Sequence, residues 1–225
     1  MWLVKRLFLI GFARELRRQC RWAPDRRELA ATMSRLRGAK HMPGADRQAV
    51  FNLFLAQSLQ AAVGIFQGRG YGRARAIAMA QAALLATGSG LTRAAFSWWL
   101  RVTPDPVGDM KKRRDLSVKA QKIWGEGMDL SEVHSDDSVA LHVTACPFAQ
   151  YFWGVSEPDL MPVFCAYDAQ WMAQVNRSRR PVRVSRSGTL AEGAERCDFT
   201  FTRITHPARH GHPRLGDGSA KSLPN

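Results

Sequence analysis

Four residues in the second half of the chain have the types and spacing to do chemistry: Cys146, Cys165, Asp168 and Cys197. On a helical wheel, Leu160, Phe164, Trp171 and Val175 form one stripe, with Met161, Cys165 and Met172 beside it. Asp168 falls three residues after Cys165 and four before Met172, inside that largely apolar face. A carboxylate there is costly unless a backbone amide, an arginine, a metal or a cationic ligand satisfies it. A purely structural ion pair with Arg183 or Arg186 competes with those functional accounts. Further on, Cys197, Phe199 and Phe201 share one face of an alternating run, and Asp198, Thr200 and Thr202 share the other. The aromatic face looks inward, which turns Cys197 to the core, where it can meet Cys165. Cys146 follows another alternating run, beside Pro147. One buried cysteine is most often a small hydrophobe. Three near an inward aspartate open two sharper options: a thiolate metal site on Cys146, Cys165 and Cys197, with Zn²⁺ as its natural occupant, or a nucleophilic cysteine activated by its neighbours. The spacing contains no Cys-x-x-Cys pair to strengthen the zinc option.

Positioning these residues calls for an α+β unit over residues 139–204. Val139, Leu141 and Val143 alternate with Ala140 and His142 and predict a first strand. Ser156-Glu157-Pro158-Asp159 predicts a long helix, with Ser156 as cap and an end near Val175. Pro181–Ser185 and Cys197–Arg203 read as two further strands around a glycine-punctuated turn, 187–193. Ahead of this unit, the acidic stretch 126–138 reads as a linker, and residues 1–125 as a helical half. There, Asp46 caps a helix carrying Val50, Leu53, Phe54, Leu59, Val63 and Phe66 at helical spacing. The alternating glycines of 67–72 follow no strand and lack phosphate-loop spacing, so they mark a turn between helices. An alanine-rich helix over Arg73–Ala86 is expected to break at Thr87-Gly88-Ser89-Gly90, with another over Leu91–Arg101 stopped by Pro104 and Pro106. The run Lys111-Lys112-Arg113-Arg114 is expected to open a helix that ends near Trp124. The tail 205–225 has little apolar content and is expected to be disordered. The fold class expected is therefore α+β: a helical N-terminal half, then a small antiparallel sheet with a long helix.

Cys146-Pro147-Phe148, Gly154, Phe164-Cys165-Ala166-Tyr167-Asp168, Arg186-Ser187-Gly188-Thr189-Leu190-Ala191-Glu192-Gly193 and Cys197-Asp198-Phe199-Thr200-Phe201 together form an ordered set. That set resembles the L-2-amino-thiazoline-4-carboxylic acid hydrolase family. The resemblance implies opening of a cyclic isothiourea by water to give an N-carbamoyl-cysteine. It implies that Asp168 holds the protonated amidine, that Cys165 or Cys197 attacks or that thiolates hold a water-activating metal, and that Arg186, assisted by Thr189, pairs with the substrate carboxylate. Two other classes compete: a non-catalytic sensor that binds a small molecule in the same pocket, and an adaptor acting through the N-terminus.

Composition bears on partners. The chain carries a formal net charge of +14. Between Met1 and Arg47, twelve Lys and Arg oppose Glu15, Asp25, Glu28 and Asp46, a balance of +8. Such a segment suits an anionic membrane surface or an acidic partner. The Lys111–Arg114 run sits in no recognisable nucleic-acid module and reads as a solvated helix face. The apolar run Leu7–Ala13 is at the short limit for a signal sequence, and no stretch reads as the roughly twenty apolar residues that span a bilayer. A basic amphipathic helix, lying on the protein's own core or on a membrane, is expected instead. Widely spaced cysteines suggest reduced thiols and a cytoplasmic protein, peripheral to the membrane if the N-terminus docks.

Overall fold

The computed structural model describes residues 1–36 and 46–204. The tail at 205–225 lies outside the described residues. In the helical half, α1 spans Trp2–Gln19, α2 Arg26–Leu36, α3 Arg47–Gly68, α4 Arg73–Val102, α5 Pro106–Arg113 and α6 Leu116–Trp124. Strand β1 is Asp129–His134 and β2 Ser138–Ala145; α7 is Pro147–Gly154, α8 Met161–Arg177, β3 Val182–Arg186 and β4 Cys197–Arg203. The four strands form one antiparallel sheet in the order β1-β2-β4-β3. The expected α+β class is the one observed.

Asp46 caps α3 as its position predicts, its carboxylate accepting from the amides of Gln48 and Ala49. α3 is apolar all round because it runs through the core; Leu59, Val63 and Phe66 are fully buried. Contrary to the sequence reading, this helix is long and apolar enough to cross a membrane by length and composition, yet 61% of the qualifying stretch is buried inside the fold. Two of its buried polar residues are paired inside the fold: Ser58 donates to Phe54 O, and Gln60 donates to Glu157 and accepts from Tyr151.

α4 corrects the expected break. It runs unbroken for 30 residues through Thr87-Gly88-Ser89-Gly90. Gly88 lets another helix come close: a Cβ there would stand 2.9 Å from the Tyr167 ring, and the Tyr167 hydroxyl donates to Gly88 O at 2.9 Å. On the neighbouring turn Gly11 of α1 packs at Thr87. A glycine costs roughly 1 kcal/mol against alanine within a helix, and close packing on both sides of α4 offsets that here.

Two further expectations move. The basic run Lys111–Arg113 closes α5 instead of opening a helix, which suits the negative end of the helix dipole, and Arg114 turns left-handed to end it. Ser156 does not cap the long helix. It adopts φ +59° in the turn after α7, and a short 3-10 turn, Pro158–Leu160, leads into α8. Asp159 is drawn away from a capping role by Arg73, which holds it at 2.6 Å.

The acidic stretch 126–138 is no simple linker. It contains β1, an edge strand paired along its length with β2. The two halves share one continuous core that takes in Phe12 and Leu16 of α1, Phe66 of α3, Phe152 of α7 and Phe199 and Phe201 of β4.

Candidate functional site

The inner face of the sheet and α8 enclose the predicted residues. β3 and β4 alternate as expected, so Val182, Val184 and Arg186 of β3 face inward with Cys197, Phe199 and Phe201 of β4. Arg183 points out, which leaves Arg186 as the arginine available to Asp168. Register places Arg186 directly across from Phe199, and its guanidinium lies 5.7 Å from that ring. Trp171 of α8 closes the layer, stacked on Phe96 of α4 at 5.0 Å and packed against Phe199 and Phe201.

Asp168 sits at the centre. Its Oδ1 accepts from the Trp171 indole at 3.0 Å, and its Oδ2 stands 3.6 Å from Arg186 Nη1. The side chain keeps 24% of its surface reachable, so it lies in a crevice and not in a sealed core. Burial pushes its pKa up to about 6, opposed by the Trp171 hydrogen bond and the Arg186 charge. Arg186 Nη1 also donates to the Cys165 carbonyl at 3.3 Å.

The thiols gather around this carboxyl, and its charge raises the pKa of all three. Burial, then Asp168, push Cys165 up to about 12. Burial pushes Cys146, at the head of α7, up to about 11, with the Ala149 and Phe148 amides acting the other way. Cys197 is 7% exposed and raised by burial; the Leu190 amide donates to its sulfur at 3.3 Å. At neutral pH the crevice therefore holds protonated thiols around an ionised carboxylate. All four cysteines of the chain are free.

Thr189 is buried in the neighbouring turn. Its hydroxyl donates to the Glu192 carboxylate at 2.8 Å and accepts from the Glu192 amide at 3.2 Å. This Thr-x-x-Glu cap holds the turn that aims the Leu190 amide at Cys197. Trp171 is the site residue that sequence reasoning missed as a partner of Asp168. The signal was present, because Asp-x-x-Trp at i, i+3 puts both side chains on one face of a helix.

Among the described residues, no group of three or more His, Cys, Asp and Glu side chains is disposed to hold a metal ion. The zinc set considered for Cys146, Cys165 and Cys197 thus lacks the arrangement it needs. A shallow depression of about 820 Å³ between α4 and the end of α8 is lined by Arg93, Arg101, Arg177 and Arg180 with glutamines and serines. Neither a thiol nor a carboxylate lines it, and it lies apart from Asp168.

Fold and crevice together define a single-core α+β protein that presents an ionisable carboxylate, flanked by an arginine and thiols, to solvent. The sequence model of L-2-amino-thiazoline-4-carboxylic acid hydrolase matches residues 47–201, and the chain belongs to that family. No curated protein matches the chain. Among solved structures, an Fe(II) unliganded H-NOX protein from K. algicida is similar at 11% identity, with 90% of this chain and 97% of that chain covered and a TM-score of 0.39. A mutant of the same protein is similar at 9% identity, covering 88% and 96% of the two chains, with a TM-score of 0.36. Likeness at that level assigns neither fold nor ligand to this chain.

Proposed function

We propose that the Asp168 crevice hydrolyses a cyclic isothiourea or a related amidine-like small molecule that carries a carboxylate. The observation that carries this reading is a carboxyl with a pKa of about 6, reachable by solvent and loosely faced by Arg186. A carboxylate poised near neutrality is suited to general-base work and to pairing with a protonated amidine. Among the described residues the polar contacts of Arg186 run through Nη1, with Phe199 against its guanidinium plane, so its other donors are left to grip a substrate carboxylate.

The steps balance with water as nucleophile. Asp168 takes one proton from water as the oxygen bonds to the ring carbon between nitrogen and sulfur of the protonated substrate. The carbinol then collapses: the carbon–sulfur bond breaks, and the proton on Asp168 passes to the departing sulfur. The carbinol O–H proton goes to Asp168 and on to solvent, leaving a neutral carbamoyl group. The net proton released is the one the amidinium brought. Cys146, Cys165 and Cys197 remain protonated and line the crevice. Thr189 acts as a positioning residue through its turn. Free thiols and this chemistry fit a cytoplasmic setting.

The test is incubation of the full chain with 2-amino-thiazoline-4-carboxylate, with the ring-opened product followed by mass spectrometry. Product formation that rises with pH through about 6 is expected. Saturable binding without product would favour the sensor reading and defeat this one.

A further inference from the structure

α1 has two apolar faces, and the fold uses one. Leu9, Phe12, Ala13 and Leu16 are buried against the core. On the opposite side Leu3, Leu7 and Ile10, at i, i+4 and i+7, form an outward stripe, exposed at 58%, 58% and 46%. Trp2, 70% exposed, and Val4, 52% exposed, flank it on either side at the tip. The stripe continues along the same outward face into Arg14, Arg17 and Arg18, all exposed. Arg6 stacks on Trp2 at 5.2 Å, and Arg21 on the exposed Trp22 at 5.6 Å. An outward face that is apolar over two turns, then basic, with tryptophan–arginine pairs at both ends, has the pattern of a helix that lies in a membrane interface.

We infer that α1 docks this protein on an anionic lipid bilayer, inserting Trp2, Leu3, Leu7 and Ile10 while Arg14, Arg17 and Arg18 meet the headgroups. Charge decides between lipid and the other occupants. A second copy would bring together two segments that each carry +8 between Met1 and Arg47. The chain's own tail is a poor cover, because residues 205–225 carry Arg209, Arg214 and Lys221 against Asp217 and have few apolar side chains. Arg14 and Arg18 reach the buried Glu15 at 3.3 and 2.9 Å yet keep 69% and 65% of their side chains exposed, so an acidic protein would still find them and Arg17 but would not, by charge alone, cover the leucine stripe. A bilayer with anionic headgroups offers both chemistries at the right depth.

The experiment is co-sedimentation of the full chain with vesicles of equal parts phosphatidylglycerol and phosphatidylcholine, and with phosphatidylcholine alone. The intact chain is expected to bind the anionic vesicles at least tenfold more tightly, with part of that binding surviving 0.5 M salt, since an inserted stripe is not screened. Leu7→Glu is expected to lower binding at least tenfold. A milder variant, Leu3→Ser with Ile10→Ser, should lower it severalfold. Circular dichroism and thermal melting should be unchanged for both, because these side chains face away from the core. Equal binding by the variants, or complete release by salt, would overturn insertion. So would a concentration-dependent dimer that the Glu variant disrupts, without vesicle binding. None of these readouts depends on hydrolysis, so their failure would leave the proposed reaction standing.

Discussion

Arg73 donates to both oxygens of Asp159 at 2.6 Å and reaches Glu157 at 3.2 Å, tying the head of α4 to the turn before α8. Arg186, by contrast, stands 3.6 Å from Asp168 and closes no hydrogen bond to it. The consequences for the acids are opposite. Arg73 holds Asp159 below the usual carboxylate range, whereas burial lifts Asp168 to about 6 despite its arginine. An arginine that has already satisfied its acid fixes the chain. One that has not leaves the acid with a raised pKa and hydrogen-bond donors of its own unspent on it. The difference lies in the surroundings: Asp159 meets a guanidinium fork head-on, while the first partner of Asp168 is a neutral indole.

The sharpest way to break this comparison is Asp168→Asn. Turnover of an amino-thiazoline substrate is expected to fall by at least about a hundredfold, since the base is gone while shape and one hydrogen-bond acceptor remain. Stability should move the other way. A carboxyl whose native pKa is raised binds its proton more tightly when folded, so wild-type stability falls as pH rises from about 4 to about 6. Asparagine removes that slope and should gain roughly 1–3 kcal/mol at pH 7.5. Melting curves at pH 4.5 and 7.5 beside single-turnover assays check both halves; lost stability with retained turnover would make Asp168 an ordinary ion-pair partner. In the wild type, kcat/KM should climb with an apparent pKa near 6, and an unchanged profile across pH 5–7 would remove Asp168 as the base.

Gly88→Ala tests the frame around the site. The added Cβ meets the Tyr167 ring at 2.9 Å, and separating α4 from α8 should cost about 1–3 kcal/mol by urea denaturation. Arg73→Gln comes next. It should cost about 1 kcal/mol, because the clamp is partly exposed, with activity unchanged in the folded fraction. The stability that Asp159 contributes is present above the ordinary carboxylate pKa and lost as pH falls through its lowered value, so the penalty should vanish in strong acid. The smallest effect is expected for Cys165→Ser. A thiol held near pKa 12 is protonated at neutral pH, and turnover should stay within about tenfold of wild type. Loss of turnover as large as that of Asp168→Asn would reinstate a cysteine nucleophile.

Where residues alternate with a clear inside and outside, the sequence was legible. β4 begins and ends where Cys197–Arg203 predicted, and its inward face carries Cys197 to the crevice. β1 was missed because an edge strand needs only a half-buried face, and Asp129, Glu132 and two flanking aspartates gave the segment the composition of a linker. The continuity of α4 was hidden for a related reason. Gly88 and Gly90 weaken a helix locally, and the gain that offsets them comes from α1 and α8, distant in sequence. At the site, Arg186 could not be told from Arg183, because the predicted strand stopped at Ser185, but the inward place of Asp168 follows from its face of the helix. Its pKa does not, since that depends on how deeply α8 seats against the sheet.

The Gly88 contact also constrains the history of the chain. Tyr167 immediately precedes Asp168, and its ring occupies the space that a methyl group at position 88 would need. One atom at 88 therefore trades against one ring at 167. Changes at the two positions should be inherited together: relatives with alanine or serine in place of Gly88 should carry a smaller residue in place of Tyr167, and relatives that keep the tyrosine should keep the glycine.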